Sequence, residues 1–209
     1  MSLSLPTNLP VEDPRRSYAV RFLMILYIFS MAMIFAGFTS AMIVSMNDNM
    51  RNQSWQHFTM PLTFGLSTVV ALASSLTFWW AYRGAKRDRL SHINWGLGAT
   101  LVLGVLFLAL QYIGFGELYE AGVRFVDNSA RIGTNFKVNN VSGSFFMLLT
   151  GAHAAHIVAG LVVLLVQIIR ALLFRINARR TQGLYLAGLF WHALTVLWIY
   201  LFIFLSVIY

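Results

Sequence analysis

Three histidines lie inside apolar runs of the sequence: His153 and His156, three residues apart, and His192, next to Trp191. Imidazole is the commonest protein ligand for transition metals and also holds haem iron, so these are the first candidates for chemistry. Residues three apart on a helix share a face. His153 and His156 would therefore point one way, with His192 approaching from a different segment. Such a set could supply three ligands to a metal or a haem b, provided the imidazoles converge from their separate helices. The alternative is structural, with neutral imidazoles hydrogen-bonded to neighbouring helices or to a lipid head group. Gln111 is a further polar side chain in an apolar run, suited to bridging two helices. His57 and His92 fall at the ends of such runs.

The residues that are missing limit the chemistry further. There is no cysteine, which excludes disulfides, thiolate metal sites, Cys-held iron–sulfur clusters and covalently attached haem c. Every Asp and Glu falls in a tail, a connection or a helix end. A charge at the bilayer centre costs about 2.5–3.5 kcal/mol on insertion scales, and proton relays and cation pathways use such buried acids. The chain has none, so it carries no obvious relay of its own. No phosphate-cradling glycine loop or nucleophile motif occurs.

The elements that must position these side chains follow from composition. Of 209 residues, 58% are apolar and only 11% are charged, against about a quarter charged in a soluble domain. Lipid is the solvent that such a chain suits. Five segments are long enough to cross a hydrocarbon core, at about 18–46, 61–82, 92–115, 143–174 and 183–209. Helices are expected because isolated strands would leave backbone groups unpaired in lipid, and the alternation of a barrel is absent. The predicted fold is all-α, a single membrane domain over residues 18–209 behind a polar tail at 1–17. The tail and the long first apolar run read as a retained first helix, not a cleaved signal. The one long connection, Gly116 to Ser142, mixes polar and apolar residues and is expected to lie on the outer face.

Net charge is +8, yet nucleic acid is not the expected partner, because the basic residues sit in short connections between apolar runs. Eleven of the fifteen fall on one side: Arg15, Arg16, Arg21, Arg83, Lys86, Arg87, Arg89, Arg170, Arg175, Arg179 and Arg180. Arg51, Arg124, Arg131 and Lys137 fall on the other. The positive-inside rule then puts the N-terminus in the cytoplasm and the C-terminus outside. Small residues recur at four-residue spacing on four segments: Ala32, Ala36 and Ser40; Ser67, Ala71 and Ser75; Gly96, Thr100 and Gly104; Gly151, Ala155 and Ala159. In membranes close backbone approach drives packing, so each stripe is a candidate contact face. Trp79, Trp80, Tyr82, Tyr200 and Tyr209 fall near segment ends, as an aromatic belt would.

The fourth segment reads Gly143-Ser144, Phe145-Phe146, Thr150-Gly151-Ala152-His153, then His156 and Gly160. This run resembles the cytochrome c and quinol oxidase subunit III family. Trp191-His192 followed by Trp198 is similar to that family, as are Leu76-Thr77, Gly104 and the stretch from Phe107 to Gln111. The five-helix length resembles the short bacterial form, which lacks two N-terminal helices. The resemblance implies a non-catalytic subunit of a respiratory haem-copper oxygen reductase in a bacterial inner (plasma) membrane. It implies partnership with the catalytic subunit I and other oxidase subunits, haem and copper held by that partner and none in this chain, and bound phospholipid. Structural or lipid-contacting roles are expected for His153, His156, His192, Trp191, Trp198 and Gln111. The stripe Ala32, Ala36, Ser40 is expected to face the catalytic subunit. A free-standing metalloprotein with histidine-held metal or haem b is the other reading. The chain departs from the family where membrane carboxylates are usual: Ser30 is followed by Met31, and Tyr185 and Thr195 stand where acids are common.

Overall fold

The computed structural model describes residues 14–51, 60–120, 141–173, 176 and 181–208. Five helices account for nearly all of them: α1 (Pro14–Arg51), α2 (Leu62–Lys86), α3 (Leu90–Glu120), α4 (Val141–Leu172) and α5 (Gln182–Ile208). Each is long and apolar enough to cross a membrane. The residues before Pro14, His57, most of the connection carrying Arg124, Arg131 and Lys137, and Arg175, Arg179, Arg180 and Tyr209 lie outside the described residues.

α1, α2 and α3 all run well past their expected ends, α1 at both of them, and for α2 and α3 the reasons are visible. α2 continues beyond Tyr82 because Gly84 and Ala85 are still buried against α3. It stops in a tight turn: Asp88 N–H donates to the Ala85 carbonyl at 3.2 Å and Arg89 N–H to the Gly84 carbonyl at 3.0 Å. Asp88 takes φ 51° there, the left-handed position that closes a helix and that Asp tolerates better than most side chains. α3 continues past Phe115 because Leu118 is still buried and because Thr63 of α2 donates to the Glu117 carboxylate at 2.9 and 3.0 Å. A charge that would have ended the apolar run is thereby held at the end of the α2–α3 pair.

α2 and α3 form the closest pair. A side chain at Gly96 would place its Cβ 2.6 Å from the Ala81 Cβ, so the two backbones come as near as they do only because both residues are small. Hydroxyl and amide bridges fasten the same seam, with Thr77 to Thr100 at 2.8 Å and Gln111 Nε2 to Ser67 Oγ at 2.7 Å.

α5 is the hub. It packs on α2, α4 and α1, while α3 closes the ring between α2 and α4. The Trp191 indole fills the middle. It takes the room left by Gly104 of α3 and Gly160 of α4, where a Cβ would meet its ring at 2.8 and 3.2 Å. α1 lies outside this ring against α4 and α5 and does not approach α2 or α3. Its buried face is Met31, Phe35, Thr39 and Met42, spaced as one helical stripe. Four contacts run along its seam with α5: Gln182 Nε2 to the Ser17 carbonyl, Arg21 over Tyr185, Tyr27 against Phe190, and Thr39 to the Tyr200 hydroxyl at 2.9 Å.

The four small-residue stripes divide into two pairs. Those of α2 and α3 are turned inward: Ser67, Ala71, Gly96, Thr100 and Gly104 are all buried. Those of α1 and α4 are turned outward: Ala32, Ala36, Ser40, Gly151, Ala155 and Ala159 are all exposed. At Gly37 and Gly151 an added Cβ would meet nothing within 4 Å. Spacing alone gave all four the same meaning. The α1–α4 contact is made instead by the larger Phe35 against His153 and His156.

Candidate functional site

The polar side chains of the interior gather around α2, and the reason is a set of hydroxyls two turns apart. Ser67 and Thr68 recur seven residues later as Ser74 and Ser75, which returns them to the same face of a helix. Ser67 and Thr68 both donate to the Phe64 carbonyl, at 2.8 and 2.9 Å, and Ser74 donates to the Ala71 carbonyl at 2.7 Å. Having spent their protons on their own helix, these oxygens keep lone pairs free to accept. Three donors from elsewhere use them: Gln111 Nε2 at Ser67 (2.7 Å), Trp198 Nε1 at Thr68 (3.0 Å) and Trp191 Nε1 at Ser74 (3.2 Å). Ser75 pairs with His192 Nδ1. This ladder is the feature that sequence reading missed. It treated Ser67 and Ser75 as small packing residues, although the paired hydroxyls at a seven-residue repeat were in view.

The three histidines go to three different neighbours. His192 is held by Ser75 of α2 and lies edge-on to Phe78. His156 Nδ1 hydrogen-bonds the Ala152 carbonyl of its own helix at 2.8 Å, and its ring meets Phe35 of α1. His153 is 1% exposed, and neither ring nitrogen has a hydrogen-bond partner. Its ring stacks on Trp198 with centroids 5.3 Å apart and is flanked edge-on by Phe35 and Phe107. Trp198 in turn stacks on Phe64 and meets the Phe107 edge at 5.2 Å. So His153 is one member of an aromatic cluster that joins α1, α2, α3, α4 and α5 at a common level.

A shared metal would need imidazoles converging on one point. Among the described residues no three of His, Cys, Asp and Glu are placed to hold one. His92, at the start of α3, packs on Trp80 with ring centroids 4.9 Å apart. Among the described residues these side chains are used for packing and hydrogen bonding.

Comparison with known proteins agrees with this picture. The family described as cytochrome c oxidase subunit III matches residues 15–209. The cytochrome c oxidase subunit 3 of Scyliorhinus canicula is 32% identical over 146 residues, 70% of this chain and 49% of its own length. That of Mus musculus is 30% identical over 139 residues, 66% and 47% of the two chains. That of Spodoptera frugiperda is 29% identical over 146 residues, 70% and 87%. The chain spans about half the length of the first two of these relatives. These relatives are eukaryotic, which overturns the expected short bacterial form and the bacterial plasma membrane with it. The match extends through all five helices, across the aromatic cluster and the hydroxyl ladder alike. The chain belongs to the cytochrome c oxidase subunit III family.

Proposed function

We propose that the chain acts as the non-catalytic subunit III of a respiratory haem-copper oxygen reductase. It packs beside the catalytic subunit I, stabilises it, and orders the lipid through which protons or oxygen approach. Haem and copper belong to that partner. The observation that carries the proposal is the outward direction of two small-residue stripes. Ala32, Ala36 and Ser40 of α1, and Gly151, Ala155 and Ala159 of α4, are exposed on a chain whose other two stripes close its own helix pair. Small residues are of no special use against lipid tails, and they do let another helix come close. α1 supports this reading further, since it has neighbours on one side only.

In this assignment His153, His156, His192, Trp191, Trp198 and Gln111 are structural. They belong to the packed interior behind the faces that are offered to partners and lipid. Residues 18–209 form one membrane domain behind a tail at 1–17. The basic ends of α1, α2 and α4 face the compartment favoured by the positive-inside rule, with the C-terminus on the opposite side.

The test is purification of the intact complex from its membrane through a tag on this chain. The expected result is co-purification with a polypeptide that carries haem-copper spectra. Ala36→Leu on the outward stripe should abolish the association while the helical content of the tagged chain stays unchanged. A haem-copper oxidase isolated intact without this polypeptide, from cells that express it, would refute the assignment.

A further inference from the structure

A groove lies where α2 and α5 meet near the basic end of the bundle. Its volume is about 180 Å3, and it is lined by Phe78, Trp79, Tyr82, Tyr185, Leu189 and His192, with Leu184 and Gly188 completing the floor. The lining contains no carboxylate and, His192 apart, is apolar or aromatic. Three of the lining rings each carry a cation. Arg83 Cζ sits 4.4 Å from the Trp79 ring centroid, Lys86 Nζ 4.8 Å from that of Tyr82, and Arg21 Cζ 5.3 Å from that of Tyr185. The three come from two helices that do not touch, α1 and α2. Arg83 and Lys86 belong to the last turn of α2, and Leu184 and Tyr185 to the first turn of α5. The positive rim therefore sits at the helix ends, and the apolar trench runs inward from it.

We propose that this groove holds one anionic diacyl phospholipid, its phosphate among Arg21, Arg83 and Lys86 and an acyl chain along α2 and α5. The inference rests on the reading of the chain as a membrane subunit that orders lipid, and it gives that role a place and a lipid class. From Leu184 to His192 is eight residues of helix, about 12 Å of trench at 1.5 Å per residue. That suits the upper part of an acyl chain. A protein helix, about 10–12 Å across with its side chains, does not fit so small a groove. A soluble anion would make no use of the apolar floor. Cations held on aromatic faces keep their charge directed at the rim. Basic residues near the surface attract anionic lipid, and three of one sign with no acid among the lining residues select against a zwitterionic head group.

The test uses the full chain, purified in detergent and offered dioleoyl phosphatidylglycerol or dioleoyl phosphatidylcholine, with bound lipid counted by native mass spectrometry. The wild type should retain the glycerol lipid about a hundredfold better than the choline lipid, the product of three cations at about fivefold each. Each cation removed should lower that preference about fivefold. The combined Arg21→Gln, Arg83→Gln and Lys86→Gln variant should then treat the two lipids alike. Leu189→Trp, which fills the trench, should lose both. Arg89→Gln, outside the lining, should behave as wild type. Equal retention of the two lipids by the wild type would overturn the proposal without recourse to any variant. So would full retention by Leu189→Trp, or an undiminished preference in the triple variant. The assay needs no oxidase partner, so its outcome stands apart from whether the chain co-purifies with one.

Discussion

Replacing His153 by Leu tests the interior reading most sharply, because two opposing terms can be weighed. The imidazole is 1% exposed and both nitrogens lack a partner. A buried polar group left unbonded costs about 1–3 kcal/mol, and Leu removes that cost. Against it stand three ring contacts, with Trp198 at 5.3 Å, Phe107 at 6.1 Å and Phe35 at 6.4 Å between centroids. Aromatic pairs contribute about 0.5–1.5 kcal/mol each. An imidazole at the low end of that range gives about 1.5 kcal/mol in total, part of which Leu regains by touching the same rings. Leu is also the better helix former. The net change therefore falls between about 0.5 kcal/mol of loss and about 1.5 kcal/mol of gain. Treating His153 as an anchor between helices would predict a clear loss instead. The assay is unfolding of the purified full chain in micelles, followed by circular dichroism and tryptophan fluorescence, the latter reporting directly on Trp198. A destabilisation above about 2 kcal/mol would refute the reasoning, because it would mean that the imidazole makes a hydrogen bond worth keeping.

The same unfolding measurement serves three further variants. Trp198→Phe keeps the stack on Phe64 and His153 but loses the 3.0 Å bond to Thr68. Thr68 stays satisfied through the Phe64 carbonyl, so the cost should be about 0.6 kcal/mol and no more than about 1.7, and in a Thr68→Val background it should vanish. Gly96→Ala forces a Cβ to 2.6 Å from the Ala81 Cβ and 3.0 Å from its Cα. Backbone cannot yield there as a flexible side chain would, so a loss of about 1–3 kcal/mol is expected. Gly151→Ala meets nothing within 4 Å and should be neutral or gain about 0.5–1 kcal/mol from the lower entropy cost of Ala in a helix; a loss as large as that of Gly96→Ala would mean the α4 stripe is an internal seam after all.

The helices were legible because the length and apolarity of a span are local properties, set by the thickness of the bilayer. Their ends were less so. The run of Gly116, Glu117 and Glu120 reads as a connection, yet helix continues there because Thr63, 54 positions earlier, bonds the Glu117 carboxylate. The role of small residues was half legible. Four-residue spacing marks a face that permits close approach, but the partner is a matter of arrangement in three dimensions. Gly96 found Ala81 within the chain, while Ala36 and Ala155 stay exposed. Likewise the sequence marks His153, His156 and His192 as notable without fixing their directions. Convergence depends on helix rotation, which Ser75, Phe35 and Trp198 decide.

These facts combine into an argument about where the chain keeps its polarity. A membrane protein that carries out a reaction must leave acceptors, donors or charges unsatisfied at the reacting point, ready for substrate. Here the interior hydroxyls of α2 are used twice, donating to their own helix and accepting from Gln111, Trp191 and Trp198. A network closed in this way rigidifies the helices it joins and has little left to give a substrate. Apart from the enclosed His92, His153 and Gln167 atoms that lack a partner, what the described residues leave open lies on the outside, as the uncovered stripes of α1 and α4 and the three cations at the rim of the α2–α5 groove. A second helix would complete the stripes, and a phosphate would complete the cations. The capacity for interaction thus sits where neighbours and lipid would meet the protein, as the proposed accessory role requires.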